Sequence, residues 1–243
     1  MKWHLAIVTG ASRGLGLALT QQLLARADTH VLAIARHQNE ALGRDRRLEQ
    51  WALDLSQPTH AAQRLAGWLA ERDAGEFDRA TLINNAAVLA TPGPLAERGF
   101  DELAMVLRVG LEAPLLLSAA FLRSTRGWNA QRRILNISSG LGRRATAGQA
   151  AYCAIKAGMD HFSRAVALEG VSIASLAPGV IDTDMQMQLR ASDPRAFPDR
   201  ERFVEMKSRG TLDSPAVAAQ QVLAYLGRSD FGANPVADVR DAR

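Results

Sequence analysis

The chain has 243 residues, 47% of them hydrophobic and 5% aromatic, with a formal net charge of +4 and a single cysteine. A chain of this length buries a core without staples, one cysteine excludes an intrachain disulfide and fits a reducing compartment, and so few aromatics argue against a nucleic-acid module despite the arginine-rich surface. The opening MKWHLAIVTGAS has too short an apolar run for a secretory signal and no stretch approaches the roughly 20 apolar residues of a membrane span, so a soluble, cytoplasmic protein is expected.

Short apolar runs alternate with segments of helical period. HLAIVT (4–9) reads as a buried strand running into a glycine-rich turn, followed by a helix over about 15–27. Strands are expected at HVLAIA (30–35) and, more weakly, LEQWAL (48–53). Pro58 signals the approach of a helix over 61–72. ATLINN (80–85) is a fourth strand, and residues 100–123 form one long helix crossed by Pro114. RRILNIS (132–138) is a fifth strand, 150–168 a helix and VSIASLA (171–177) a sixth strand. The last helix spans 213–226, with Asp213 or Ser214 as cap and Pro215 near its first position. This alternation predicts one α/β domain over residues 1–243, a doubly wound Rossmann-type fold with a central parallel sheet flanked by helices on both faces. The polar segment from about 185 to 212 interrupts the pattern. It is expected to lie over the C-terminal edge of the sheet, where ligands bind in such folds.

Two constellations carry chemistry. Thr9-Gly10-Ala11-Ser12-Arg13-Gly14-Leu15-Gly16 stands between the first strand and the first helix. Gly10 allows a sharp turn, Gly14 a close approach to a pyrophosphate, and Gly16 close helix–sheet packing, while the helix N-terminus offers N–H groups to phosphate. After the second strand, where an acid would hold the ribose 2′-hydroxyl of NAD, this chain has Ala35 and Arg36. Arg36 with Arg13 suits a 2′-phosphate instead, so NADP(H) is the expected cofactor. The second constellation is Ser139, thirteen residues before Tyr152, with Lys156 four residues further on one helix face. A hydroxyl, a phenol and an ammonium suit the polarisation and protonation of a carbonyl oxygen, because a nearby cation lowers the high pKa of a phenol.

On TGASRGLG (9–16), LDLS (53–56), NNAA (84–87), NISSG (136–140), YCAIK (152–156) and PGVIDT (178–183), the chain resembles the classical short-chain dehydrogenases/reductases over nearly its whole length. The resemblance implies an NADP-dependent oxidoreductase in which Ser139, Tyr152 and Lys156 are catalytic. It carries Gly10, Ser12, Arg13, Gly14, Leu15, Gly16, Arg36, Asp54, Leu55, Asn84, Ala86, Tyr152, Lys156, Pro178, Gly179, Ile181 and Thr183 to the cofactor. Asp54 would meet the adenine edge, Asn84 the central strand and ribose, Lys156 the nicotinamide ribose, and Ile181 and Thr183 the carboxamide. PGVIDTDMQ (178–186), KSRGTL (207–212) and the tail DFGANPVADVRD (230–241) resemble the sepiapterin reductase and bacterial benzil reductase branch, which implies a ketone substrate, in particular a vicinal dicarbonyl. Ser139, Tyr152 and Asp238 are then the expected substrate contacts.

Gly110 departs from the family, since many members place an asparagine there that holds a water of the proton relay, and Ala87 replaces a usual glycine. A 3-oxoacyl-thioester reductase is the alternative within the enzyme class, and a catalytically weak NADP-binding sensor or scaffold the alternative outside it. His4, His30, His37, His60 and His161 show no metal-ligand spacing. Cys153 is expected to be a buried structural residue, and Trp3, Trp51, Trp68 and Trp128 to be packing residues. The expected partners are a small carbonyl compound and a second copy of the chain, as homodimer or homotetramer, with neither nucleic acid nor membrane.

Overall fold

The computed structural model describes residues 2–241. Its strands are β1 (Trp3–Thr9), β2 (Thr29–Ala35), β3 (Leu48–Ala52), β4 (Phe77–Asn84), β5 (Gln131–Ile137), β6 (Ile173–Ala177) and β7 (Val236–Asp238). They form one parallel sheet in the order β3-β2-β1-β4-β5-β6-β7. The order switches direction between β1 and β4, and the carboxyl ends of those strands open the crevice where such sheets bind ligands.

The helices are α1 (Gly14–Leu24), α2 (Pro58–Ala70), α3 (Phe100–Leu107), α4 (Ala113–Ser124), α5 (Ala150–Ala167), α6 (Asp184–Arg190), α7 (Arg200–Ser208) and α8 (Pro215–Leu226). Strand residues alternate between two cores. Ala6, Val8, Val31 and Ala33 pack with Leu19 and Leu23 of α1 and Val222 and Leu226 of α8. Leu5, Ile7, Leu32 and Ile34 pack with Leu65 and Leu69 of α2 and Leu117 and Phe121 of α4. A strand buried on both faces must be apolar at consecutive positions, which is why these runs do not alternate in polarity. Each such aliphatic side chain contributes about 1.5–3 kcal/mol by leaving water.

The structure departs from the sequence reading at four places. A seventh strand, β7, pairs with β6. Three residues are too short to show a period, and their neighbours, not their pattern, make them a strand: Ser175 N donates to Pro235 O and Val239 N to Ala177 O. The long helix is two α-helices joined by a π-turn at Arg108–Glu112. Pro114 explains the break, because it lacks an N–H for the Gly110 carbonyl and its ring crowds that oxygen.

The same stretch corrects a further expectation. Phe100–Ser124 is long and apolar enough, by length and composition, to cross a membrane. Here it packs along the sheet, with Val106, Val109, Ala113, Leu117 and Phe121 buried. Finally, the 185–212 segment contains α6 and α7 and is anchored by Phe197, which is fully buried and stacks on Phe203 at 5.7 Å. The end signals of the last helix hold: Ser214 Oγ accepts from Val217 N and Pro215 occupies the first turn. The tryptophans pack as expected, Trp51 edge-on to Trp68 and Trp128 stacked on Phe77.

Candidate active site

β1 delivers Gly10 to the switch point, where the chain turns with φ +67°, and α1 begins at Gly14 with φ +54°. Gly16 is needed for space, since an added Cβ would come within 2.1 Å of the Gly10 carbonyl oxygen and 2.6 Å of Asn85 Nδ2. The turn is held from the neighbouring strand: Asn85 Nδ2 donates to Thr9 O (2.9 Å), and Thr9 Oγ1 accepts from Asn85 N (2.9 Å) and Ala86 N (3.0 Å). From the other side, Asn39 Nδ2 donates to the carbonyl of Ser12 at 2.6 Å. Among the described residues, the first turn of α1 has no side-chain cap and no acid, so its N–H groups and positive dipole end can receive an anion. Leu15, buried in that turn, anchors it to the core.

Arg13 is exposed and pairs with Asp184 at 2.8 Å. Arg36, also exposed, follows β2 and acts electrostatically on Asp54. Asp54 accepts from Ser56 N (2.9 Å), which holds its carboxyl below the usual value, and Leu55 beside it is buried. At the central strand end, Asn84 Nδ2 donates to Asn136 Oδ1 (2.9 Å) and Ser118 Oγ (3.2 Å), tying β4 to β5 and α4. Its buried Oδ1 has no partner among the described residues.

Ser139 leaves β5 and caps a tight turn at Gly140–Gly142, its Oγ accepting from Leu141 N at 3.2 Å. Tyr152 and Lys156 lie one turn apart on α5, and Lys156 Nζ is 5.5 Å from the centre of the Tyr152 ring. The buried Nζ donates to Ile137 O at 2.7 Å, at the end of the strand that leads to Ser139. Burial pushes the Tyr152 phenol up to about 12, with the Ser139 hydroxyl pulling it down. Burial pushes Lys156 down to about 8, opposed by Asp160. At neutral pH the phenol therefore holds its proton beside an ammonium, which is the protonation state a proton donor requires.

After β6, Pro178 and Gly179 (φ +82°) turn the chain back, and Ile181 bridges to Asp213. Thr183 precedes α6 and faces the glycine turn: a Cβ on Gly14 would lie 3.3 Å from Thr183 Cγ2. The Pro178–Thr183 turn thus closes over the glycine loop. Asp238 ends β7 at the same sheet edge, but its buried carboxylate is held by the Arg240 fork (2.7 and 2.6 Å) and faces Arg143 at 3.7 Å. Arg143 belongs to the Ser139 turn, so the tail braces that turn. Cys153 is half-buried rather than buried.

Gly110 packs against α5. A Cβ there would come within 2.2 Å of Ile155 Cδ1, so isoleucine occupies the volume that a side chain at 110 would need. Sequence reasoning passed over Asn85, Asn39 and Asp160. Asn85 was within reach as the second residue of NNAA, whereas nothing local marks Asn39 or Asp160.

The short chain dehydrogenase family matches residues 4–194. The benzil reductase ((S)-benzoin forming) of Bacillus cereus is 32% identical over 238 residues, covering 93% of this chain and 94% of its own. The sepiapterin reductase of Bos taurus is 31% identical over 261 residues, covering 98% and 94%. The 3-oxoacyl-[acyl-carrier-protein] reductase FabG of Salmonella typhimurium is 34% identical over 200 residues, covering 79% of each chain.

Proposed function

The chain belongs to the short-chain dehydrogenase family and is an oxidoreductase of that family; from that premise we propose that it is an NADPH-dependent carbonyl reductase acting on a vicinal dicarbonyl. The observation that carries this reading is the convergence of Ser139, Tyr152 and Lys156 beside the crevice that Gly10, Gly14 and Gly16 open. The cofactor fits this chain's own residues. The cradle at Gly16 admits no side chain, the α1 N-terminus is uncapped, and Arg36 stands where an acid would repel a 2′-phosphate.

When bound, NADPH supplies the hydride. Gly10, Ser12, Gly14, Leu15 and Gly16 would hold its pyrophosphate, Arg13 and Arg36 the 2′-phosphate, and Asp54 and Leu55 the adenine. Asn84, Ala86, Tyr152 and Lys156 would line the ribose side. Pro178, Gly179, Ile181 and Thr183 would hold the carboxamide. Ser139 donates a hydrogen bond to the substrate carbonyl oxygen and fixes its direction. Tyr152 gives its phenolic proton to that oxygen as the carbon accepts the hydride, and the Lys156 ammonium stabilises the phenolate left behind.

The dicarbonyl assignment rests on the benzil and sepiapterin reductases, which match over more than nine tenths of this chain, whereas the acyl-carrier-protein reductase matches over 79% of it. Asp238 is the proposed contact for the polar end of the substrate, exchanging the exposed Arg240 fork for a substrate donor. Residues 185–212 would cover the substrate, and a homodimer or homotetramer would bury Phe100, Met105 and Leu107, which α3 leaves exposed. The single cysteine agrees with a cytoplasmic setting.

NADPH oxidation measured against diketones, pterins and acetoacetyl thioesters tests the substrate class. Preference for the thioesters would move the protein to the other reading. Tyr152→Phe should abolish reduction and leave NADPH binding intact; normal turnover by that variant overturns the catalytic assignment.

A further inference from the structure

We infer that Asp160 is a positioning residue for Lys156: a buried carboxylate one helical turn beyond the lysine, which serves as the counter-charge to the ammonium and ties α5 to the strand end that the lysine reaches. This rests on the reading that Lys156 serves Tyr152. Asp160 is only 2% exposed, and aspartate is almost never buried without a partner. Its Oδ1 accepts from Ser138 Oγ at 2.5 Å and from Ser175 Oγ at 2.6 Å, joining α5 to both β5 and β6. Its Oδ2 has no hydrogen-bond partner among the described residues. A Cβ on Gly142 would fall 2.9 Å from Oδ2 and 2.9 Å from Lys156 O, so glycine there lets the Ser139 turn rest directly on the Lys156–Asp160 stretch. Four parts of the active site therefore meet at one carboxylate.

Both hydroxyls that bind Asp160 are neutral, and they leave its charge without a counter-ion. The ionisable groups on the surrounding elements single out Lys156 as that counter-ion. On α5 itself, Tyr152 and Cys153 bear no positive charge, and His161 and Arg164, one and four residues beyond Asp160, are exposed while Asp160 is buried. The Ser139 turn brings Arg143, whose guanidinium is turned to Ala237 O (3.3 Å) and Asp238 (3.7 Å). β7 brings Asp238, matched by Arg240. α3 brings Asp101, exposed, and Glu102, which accepts from Thr91, and the π-turn brings Arg108 and Glu112, both exposed. Lys156 is buried on the same α5 face four residues earlier, and the Asp160 charge is the influence that raises its proton affinity against burial.

A merely structural tie and a charge partner separate in Asp160→Asn. The amide keeps an Oδ1 to accept from both serines, so the tie survives while the charge is lost. The alkaline limb of the kcat profile for NADPH-dependent diketone reduction should then move down by about one pH unit or more, because the ammonium loses its proton earlier. Ser138→Ala with Ser175→Ala keeps the charge and should leave that limb in place.

A thermal-melting cycle reads the same coupling without turnover. Lys156→Met strands the carboxylate, so Lys156→Met/Asp160→Asn should melt above Lys156→Met, although Asp160→Asn by itself melts no higher than the parent. An unmoved alkaline limb in Asp160→Asn, or additive melting temperatures in the cycle, overturns the inference. Turnover by Tyr152→Phe would instead sink the catalytic reading, and the melting cycle would still decide the Lys156–Asp160 coupling.

Discussion

Substituting Gly16 by alanine isolates the geometry of the phosphate turn. The added methyl would sit 2.1 Å from Gly10 O and 2.8 Å from Gly10 C, where ordinary contact begins near 3.4 Å. Both atoms are backbone, so no rotamer relieves the overlap and the turn itself must move by about an ångström, at a cost of about 1–3 kcal/mol for overpacking. That movement takes the α1 N–H groups away from the phosphate, and each charge-assisted hydrogen bond lost weakens binding by about 1.5–3 kcal/mol. One such bond, with part of the overpacking, sums to about 2 kcal/mol or more, so the NADPH dissociation constant should rise about thirtyfold or more. Fluorescence titration of NADPH measures it. Gly67→Ala is the control: it lies on α2 with nothing within 4 Å, so it should stabilise the fold by about 0.5–1 kcal/mol and leave the dissociation constant unchanged. A Gly16→Ala protein that binds NADPH within threefold of the parent (about 0.6 kcal/mol) refutes the steric argument.

Three further outcomes are expected. His4 is buried, its Nε2 lies 2.9 Å from Thr81 Oγ1, and burial pushes it down to about 4 from 6.5. Between those values the unfolded chain binds more protons, so stability should fall by about 3 kcal/mol as pH drops from 6.5 to 4, and His4→Gln should flatten that slope in denaturant melts. Gly110→Ala should lose stability because its Cβ would meet Ile155 Cδ1 at 2.2 Å, and adding Ile155→Val, which removes that methyl, should recover most of the loss in thermal melts, while Gly110→Asn should gain no rate; a Gly110→Ala protein as stable as the parent would contradict the packing. Arg36→Ala should lower the NADPH-over-NADH ratio of kcat/KM about tenfold or more, and an unchanged ratio would remove Arg36 from cofactor choice.

Legibility followed the range of the interaction involved. The glycine turn and the Tyr152–Lys156 pair are local: a few consecutive residues specify each, and the apolar runs of β1, β2 and β5 are long enough to show that both faces are buried. β7 escaped notice because three residues become a strand only when β6 offers its edge. The π-turn was half visible, since Pro114 announced a disturbance but not that the extra residue would be absorbed four positions earlier. Asn39 and Asp160 could not be read at all, because each acts on a segment 15–27 positions away in the chain. Asp238 shows the complementary limit: the motif pointed to the sheet edge where β7 ends, and only the fold shows that Arg240 and Arg143 face its oxygens.

The Arg13–Asp184 pair has a consequence for thermodynamic linkage. If Arg13 takes the proposed 2′-phosphate, one guanidinium would serve either the carboxylate at the head of α6 or that phosphate, so measured cofactor affinity would report the difference between the two partners. Both side chains are more than half exposed, and such a pair is worth at most about 1 kcal/mol, which caps the competition at roughly fivefold. Each anion captured at that arginine weakens the hold on α6 by the same factor, so occupancy at the mouth of the crevice and freedom of the segment above it are reciprocal quantities.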